Sequence, residues 1–378
     1  MHKLISTSTI LEHELSELRL LVERQTGVVL DCPNSALAAH IADYIECHGV
    51  GSSAALLERL RSREQDPSTL SSLLDGLISV NTGFFRHPGA LNALARHVVP
   101  QLCARKGSDG PSPLRIWSAG CSTGEETYSI AMAVCDALSQ NGASSANNGN
   151  GANNGIRHST GNAAGNAAGN GATNGKASTR NGGIVDSAVS CAKPGAALSI
   201  HIVGSDLLPQ TIEVADRGVY PQSALDGLPP ATIRNYFSKI SSPTVSPNGA
   251  GVDASNNLRG EANDSPSCSS QTAPVAVAHL LVKPRLRSLV TFNCMNLARP
   301  GYIGRFDCIF CMDVLPHFSR AQRISLIERL HLYLEPGGYL FLSQTEKLIT
   351  SNLNFRAETY DGYTFHRKPP AASAAYGR

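Results

Sequence analysis

Charge is scarce in this chain. Its 32 Lys and Arg and 30 Asp and Glu make up 16% of 378 residues and leave a formal net charge of +2. No long run of one sign occurs, and without a basic stripe a nucleic-acid partner is not expected. No uninterrupted apolar run approaches the ~20 residues that span a bilayer, so direct membrane insertion is not expected. The opening MHKLISTSTILEHEL lacks an unbroken apolar core, which argues against a secretory leader. Ten cysteines are present, but they lack a framework spacing. Cys308 and Cys311 form a C-x-x-C inside FDCIFC, an apolar run that reads as a buried strand. Residues three apart on a strand point to opposite faces, so these thiols are not expected to share a metal. The histidines show no paired metal spacing either, and no metal site is expected. The remaining cysteines read as thiols of a reducing compartment, and the sequence predicts a cytoplasmic monomer. With 42% hydrophobic residues, the chain is long enough for one large or two smaller self-stabilising domains.

What is present divides the chain. Ile10, Leu11, Leu15, Leu18, Leu21 and Val22 fall near helical spacing, and Gly27 can stop that helix. Three more amphipathic stretches cover Ala36–Cys47, Ser53–Arg63 and Ser68–Ser79, the last with Ser68 as a candidate cap. Residues 1–80 therefore read as a helical domain, and 81–113 as a linker and connecting helix in which Pro88 sits near a helix start. Residues 114–378 alternate strands and helices, which predicts a mostly parallel sheet covered on both faces. Two low-complexity insertions interrupt it. About 140–194 is nearly all Asn, Gly, Ala, Ser and Thr, cannot bury enough apolar surface to offset its ordering entropy, and reads as disordered. About 241–276 is rich in Ser, Pro, Asn and Gly.

The chemistry concentrates at LRIWSAGCSTGEETYSI (114–130). A strand feeding a glycine turn (Gly120, Gly124) and then a helix places backbone N–H groups at the strand's carboxyl end. No Lys follows the last glycine, which excludes a phosphate-binding P-loop. Glu125 and Glu126 open the helix instead. They suit the helix dipole, repel a pyrophosphate and attract a cation, as in the sulfonium and ammonium of S-adenosylmethionine. Asp206 closes the next strand, where a carboxylate can accept both ribose hydroxyls. A capping role ahead of Pro209 is the other reading. Its distance from Gly124 far exceeds the ~20 residues of a compact unit, and removing 140–194 restores a normal gap.

Taken in order, FFR (84–86), WSAGCSTGEETYSIA (117–131), Ser205-Asp206, FNCMNL (292–297), FDCIFCMDVL (306–315) and LEPGGYLF (334–341) resemble the chemotaxis-type protein-glutamate O-methyltransferases. STGEE-x-YS is the most specific block, and LEPGGYLF resembles a late-strand signature with a helix ending at Pro-Gly-Gly. The resemblance implies an α/β class I methyltransferase: a Rossmann-like doubly wound sheet, an N-terminal all-helical domain and a small inserted β-subdomain. It implies S-adenosylmethionine as cofactor, S-adenosylhomocysteine as product and a chemoreceptor cytoplasmic domain as protein substrate. By the same resemblance Thr82 and Arg86 close over the cofactor. Glu126, rather than Glu125, is the acidic contact after the turn at Gly120, Asp206 holds the ribose, and Asn296 and Leu297 flank the adenine. Asn81 is one place displaced from the family's linker Asn, so Val80 can hold that position.

The departures are specific. Met312 and Asp313, which with Asn81 are also candidate cofactor contacts, stand where the family has Arg-Asn, His317 replaces a tyrosine near the reaction centre, and SQTE (343–346), with Gln344, replaces GHSE. The helix that docks an acidic receptor is usually Arg/Lys-rich, whereas NSALAAHIADYIECHG (34–49) has neither. A glutamate acceptor, with a pKa near 4.3, needs no strong base, and alignment alone can supply of order 7–11 kcal/mol. Arg86 and His317 are the catalytic candidates, Arg86 to orient a carboxylate or the cofactor and His317 to donate a hydrogen bond, unless it is only a strand-end histidine. The alternatives are a cofactor-binding signalling module with weak or no transfer, and a methyltransferase for another carboxylate.

Overall fold

The computed structural model describes residues 10–62, 67–78, 82–108, 112–147, 188–190, 197–240, 278–301, 303–348 and 353–371. Four helices come first: α1 (Glu12–Thr26), α2 (Asn34–Cys47), α3 (Ser53–Arg61) and α4 (Pro67–Asp75). They close around Leu15, Leu18, Val22, Leu37, Ile41, Leu56, Leu60 and Leu73, and Leu208 of the second unit joins that core. α1 stops at Gly27 (φ +80°), whose N–H bonds the Glu23 carbonyl. A Cβ there would lie 2.4 Å from the side chains of Ala298 and Gln322, so the stop doubles as the seam with the second unit. Ser68 is not the cap expected of it. α4 begins at Pro67, whose fixed φ suits a first helical position, and the Ser71 and Ser72 hydroxyls donate to the Ser68 carbonyl from within the first turns.

Pro88 opens α5 (Pro88–Ala93), which passes through a π turn (Leu94–Val98) into α6 (Val99–Ser108). The elements of the second unit then run β1 (Leu114–Ala119), α7 (Glu125–Asn147), β2 (Ala188–Ser190), β3 (Ala197–Asp206), α8 (Pro209–Arg217), β4 (Val219–Pro221), α9 (Pro230–Tyr236), β5 (Phe237–Lys239), β6 (His279–Val282), α10 (Pro284–Arg287), β7 (Val290–Cys294), β8 (Phe306–Cys311), α11 (Arg320–Tyr333), β9 (Leu334–Leu342), β10 (Arg356–Tyr360) and β11 (Tyr363–Arg367).

The main sheet has the order β7-β3-β1-β8-β9-β11-β10, with β2 also on β3. β7, β3, β1, β8 and β9 are parallel, while β11 and β10 close the far edge antiparallel. Residues alternate between two apolar layers: Ile116, Cys308 and Phe310 face one, Trp117, Ile309 and Cys311 the other. Burial on both sides explains why FDCIFC is apolar throughout, and it sets Cys308 and Cys311 on opposite faces. β4, β6 and β5 form a separate antiparallel sheet, the small inserted β-subdomain. This is the doubly wound class I methyltransferase fold, with an N-terminal helical unit. No helix among the described residues is long and apolar enough to cross a membrane.

Two boundaries differ from expectation. α7 continues to Asn147, and Ala188–Ser190 pairs antiparallel with the start of β3. An open sheet edge offers unpaired backbone groups to a short strand of small residues, so the 140–194 segment is ordered at both of those places. Residues 148–187 and 241–276 lie outside the described residues. The Pro-Gly-Gly expected to end a helix instead lies inside β9, where the pairing with β8 shifts register between Phe306 and Cys308. Pro336 has no donor to lose and Gly337 takes φ +77°, the chemistry of a bulge.

Candidate functional site

The order of strands reverses at β1, between β3 and β8, and a ligand crevice is expected beyond the carboxyl ends there. The turn after β1 is drawn tight by one acceptor: the Gly120 and Cys121 amides both donate to the Ser205 carbonyl, at 2.8 and 2.9 Å. Gly120 holds φ +85°, and a Cβ would sit 2.4 Å from Val314 Cγ2. Its glycine is therefore demanded by the loop after β8 and by backbone conformation, more than by a ligand. Ser122, at φ +50°, donates its amide to Asp206 Oδ2 at 2.9 Å, while its buried Oγ has no protein partner.

The two glutamates part company at the start of α7. Glu125 is buried and accepts from Thr123 Oγ1 (2.7 Å) and Thr82 Oγ1 (3.5 Å). Glu126 faces the crevice and accepts from Ser118 Oγ at 2.7 Å. Burial pushes its carboxyl up to about 7, the Ser118 bond opposes this, Asp313 and Glu346 add to it, and Arg86 pulls the other way. Asp206 serves as a local cap and also borders the crevice. Oδ1 accepts from the Leu208 amide (3.1 Å) and Thr211 Oγ1 (3.3 Å) in a local cap, and the carboxylate still borders the crevice.

The far wall comes from β8 and the linker. Met312 is buried. Asp313 takes φ +57°, and its Oδ2 meets both Arg86 Nη2 at 3.0 Å and His87 Nε2 at 3.1 Å. Glu346 braces this loop, accepting from the amides of Asp313 (3.2 Å), Leu315 (2.9 Å) and Ser343 (2.8 Å). His317 ends a 3-10 turn. Burial pushes its ring down, with Asp206 and Asp313 partly opposing, so the imidazole is neutral near pH 7. Sequence reasoning missed His87 and Glu346. Glu346 carried a signal, as the acid shared by SQTE and the family's GHSE.

These walls enclose a cavity of about 360 Å³ that gathers Thr82, Arg86, Gly120, Glu126, Asp206, Asn296, Leu297, Met312, Asp313 and His317, with Thr26 and Val28 reaching in from the helical unit. Asn81 and Val80 lie outside the described residues. Asn296 arrives with its side chain committed: Nδ2 donates to the Gln25 carbonyl (3.0 Å) and Oδ1 accepts from the Ala298 amide (2.8 Å). That leaves its backbone and its edge to the crevice, where the resemblance implies a place flanking the adenine. No His/Cys/Asp/Glu group among the described residues could hold a metal.

The cavity's size is that of a small-molecule cleft. Three carboxylates face it against one guanidinium, an orphaned hydroxyl points into its wall, and Leu208, Leu297, Phe310 and Phe318 supply apolar surface. That donor set fits a cationic nucleoside and not a polyphosphate. The family described as CheR methyltransferase, SAM binding domain, matches residues 80–146 and 266–363. Over those residues the chain is a divergent relative of this family. It is an S-adenosylmethionine-dependent methyltransferase. Its relatives include "Chemotaxis protein methyltransferase 1" of Pseudomonas aeruginosa, 25% identical over 333 residues, covering 87% of this chain and 88% of that protein. "Chemotaxis protein methyltransferase" of Vibrio parahaemolyticus is 23% identical over 343 residues, covering 90% and 91%. Among solved structures, the magnesium protoporphyrin IX methyltransferase of Synechocystis PCC 6803 with bound S-adenosylmethionine is 12% identical, covering 87% of this chain and 93% of that one at a TM-score of 0.26. The fold rests on the strand order above.

Proposed function

We propose that this methyltransferase esterifies carboxylate side chains of a chemoreceptor-like signalling protein. The observation that carries the reading is the Arg86 guanidinium, held by Asp313 in the wall of the cavity that Glu126 and Asp206 also line. Residues 120–126 and Asp206 would hold the nucleoside, with Ser122 Oγ and the free lone pairs of Asp206 open to the ribose and Glu126 near the cationic end. When bound, S-adenosylmethionine supplies a methyl group on a positively charged sulfur. An acceptor carboxylate oxygen held in this cavity would take that methyl carbon, with the carbon–sulfur electron pair left on the departing thioether. Opposite charges cancel and no proton has to move, which is why no nucleophile–base pair is required.

In this reading the chain's own groups do the aligning. Arg86 turns the acceptor oxygen toward the methyl carbon by a charge-assisted hydrogen bond. The neutral His317 ring donates to the second oxygen. Phe84 and Phe85 anchor the linker against the core, and the Phe85 amide donates to Ser129 Oγ at 3.0 Å, so Arg86 leaves a fixed base. α2 carries no Arg or Lys, so an acidic receptor is gripped elsewhere than on that helix. The test is transfer of labelled methyl to the organism's own receptor cytoplasmic domain. Base-labile label lost in Arg86→Ala, with cofactor binding retained, supports the proposal. Full transfer activity in Arg86→Ala sinks it.

A further inference from the structure

We infer that Asp313 is an intramolecular competitor of the acceptor carboxylate for Arg86, a positioning residue that sets how tightly acidic substrates are held and helps the product leave. The inference rests on the proposed acceptor role of Arg86. Three observations support it. The Asp313 carboxylate already makes, on Arg86 Nη2 at 3.0 Å, the contact an incoming carboxylate would need. The same oxygen is shared with His87 Nε2 at 3.1 Å, so it divides its lone pairs between two donors. The pair is also open to water, with side chains 37% and 33% exposed, which makes it an exchangeable latch and not a sealed ion pair.

The backbone shows that the carboxylate is aimed there. Asp313 sits at φ +57°, a conformation Asp and Asn tolerate better than most residues. Its amide is fixed by Glu346, which also fixes the Leu315 amide two residues on. The loop is anchored through its backbone, while the side chain is held only by the half-exposed contacts to Arg86 and His87. Glu126 and Glu346 lie within electrostatic reach of this pair, so an entering acceptor meets other carboxylates and must compete for the guanidinium. A glutamate that enters takes over the guanidinium. After methyl transfer that glutamate is a neutral ester and no longer competes, so Asp313 returns to Arg86 and the product is expelled.

The test uses the full chain with Asp313→Asn, which keeps the shape and the positive φ, and Asp313→Gly, for which φ +57° is unstrained. The acceptor is the receptor cytoplasmic domain. Removing a half-exposed carboxylate from Arg86 lowers KM for the acceptor by up to about fivefold, leaves kcat unchanged or lower, and keeps cofactor Kd within about twofold. In parallel, Arg86 is labelled with phenylglyoxal and followed by mass spectrometry, with glutarate as protectant. Both variants label faster than the parent, and glutarate protects them at lower concentration. An acceptor KM that stays the same or rises in both variants overturns the inference. If no protein, parent or variant, methylates the receptor domain, the proposed function fails on its own. The labelling then decides, and equal glutarate protection in parent and variants overturns the role of Asp313.

Discussion

Glu126 makes cofactor affinity depend on pH in a window where few carboxylates titrate. Its carboxyl is pushed up to about 7 in the cavity, so roughly nine-tenths of the molecules carry it protonated at pH 6 and roughly one-tenth at pH 8. A cationic ligand recognises the ionised form. Affinity for S-adenosylmethionine should therefore rise about tenfold from pH 6 to pH 8, or ~1.4 kcal/mol. Binding below pH 7 should release a proton. The same group bears on stability with the opposite sign. The folded value lies above the ordinary 4.5, so the cofactor-free protein carries no penalty below pH 4.5, loses stability as pH rises toward 7 and bears the full cost above it. For a carboxyl sealed from water that cost would be ~3 kcal/mol. For one facing a hydrated cavity it is roughly 1–2 kcal/mol. Glu126→Gln should thus bind cofactor more weakly above pH 7, lose the slope, and unfold at higher urea than the parent at pH 8. Calorimetric titration at pH 6, 7 and 8 in buffers of different ionisation enthalpy reads both effects. A flat profile in the parent, or an unchanged slope in Glu126→Gln, refutes the reasoning.

Gly120→Ala combines a left-handed backbone with a 2.4 Å approach to Val314, and should cost about 2–5 kcal/mol of stability in urea titrations. A loss under 1 kcal/mol would mean the turn relaxes freely. Asp206→Ala removes the acceptor of Ser122, Leu208 and Thr211 together with the candidate ribose contact. Cofactor Kd should rise about 10- to 100-fold, and a change under threefold would leave only the capping role. Replacing residues 148–187 by a short Gly/Ser linker should keep cofactor Kd within about twofold, because helix-to-strand connections lie at the strands' amino ends. A large loss would place that segment at the crevice.

What could be read from the sequence was local. The strand–turn–helix that begins at 114–130, the stop at Gly27 and the two-faced burial of FDCIFC each follow from neighbours a few residues apart. The site's second wall did not. Arg86 and His87 meet Asp313 across more than 200 positions, and Asn296 meets Gln25 across 271. No periodicity encodes such pairs. The reason for Gly120 was also invisible, since its close neighbour Val314 arrives from β8. The β2 pairing was hidden because three small residues inside a biased stretch carry no strand signal of their own.

The seam at Gly27 has a consequence for how this molecule can be cut or recombined. Two cavity residues are held from outside their own unit: the His317 carbonyl by the Val29 amide at 2.8 Å, and the Asn296 amide by the Gln25 carbonyl. A fragment that begins after α4 keeps every strand of the sheet, yet it strands those groups and removes the Thr26 and Val28 portion of the wall. Exchanging the helical unit for one from a relative also brings whatever stands at its own Gln25, Gly27 and Val29 positions. The smallest portable methyltransferase is therefore a matched pair of units, and variation on one side of the seam is constrained by the other.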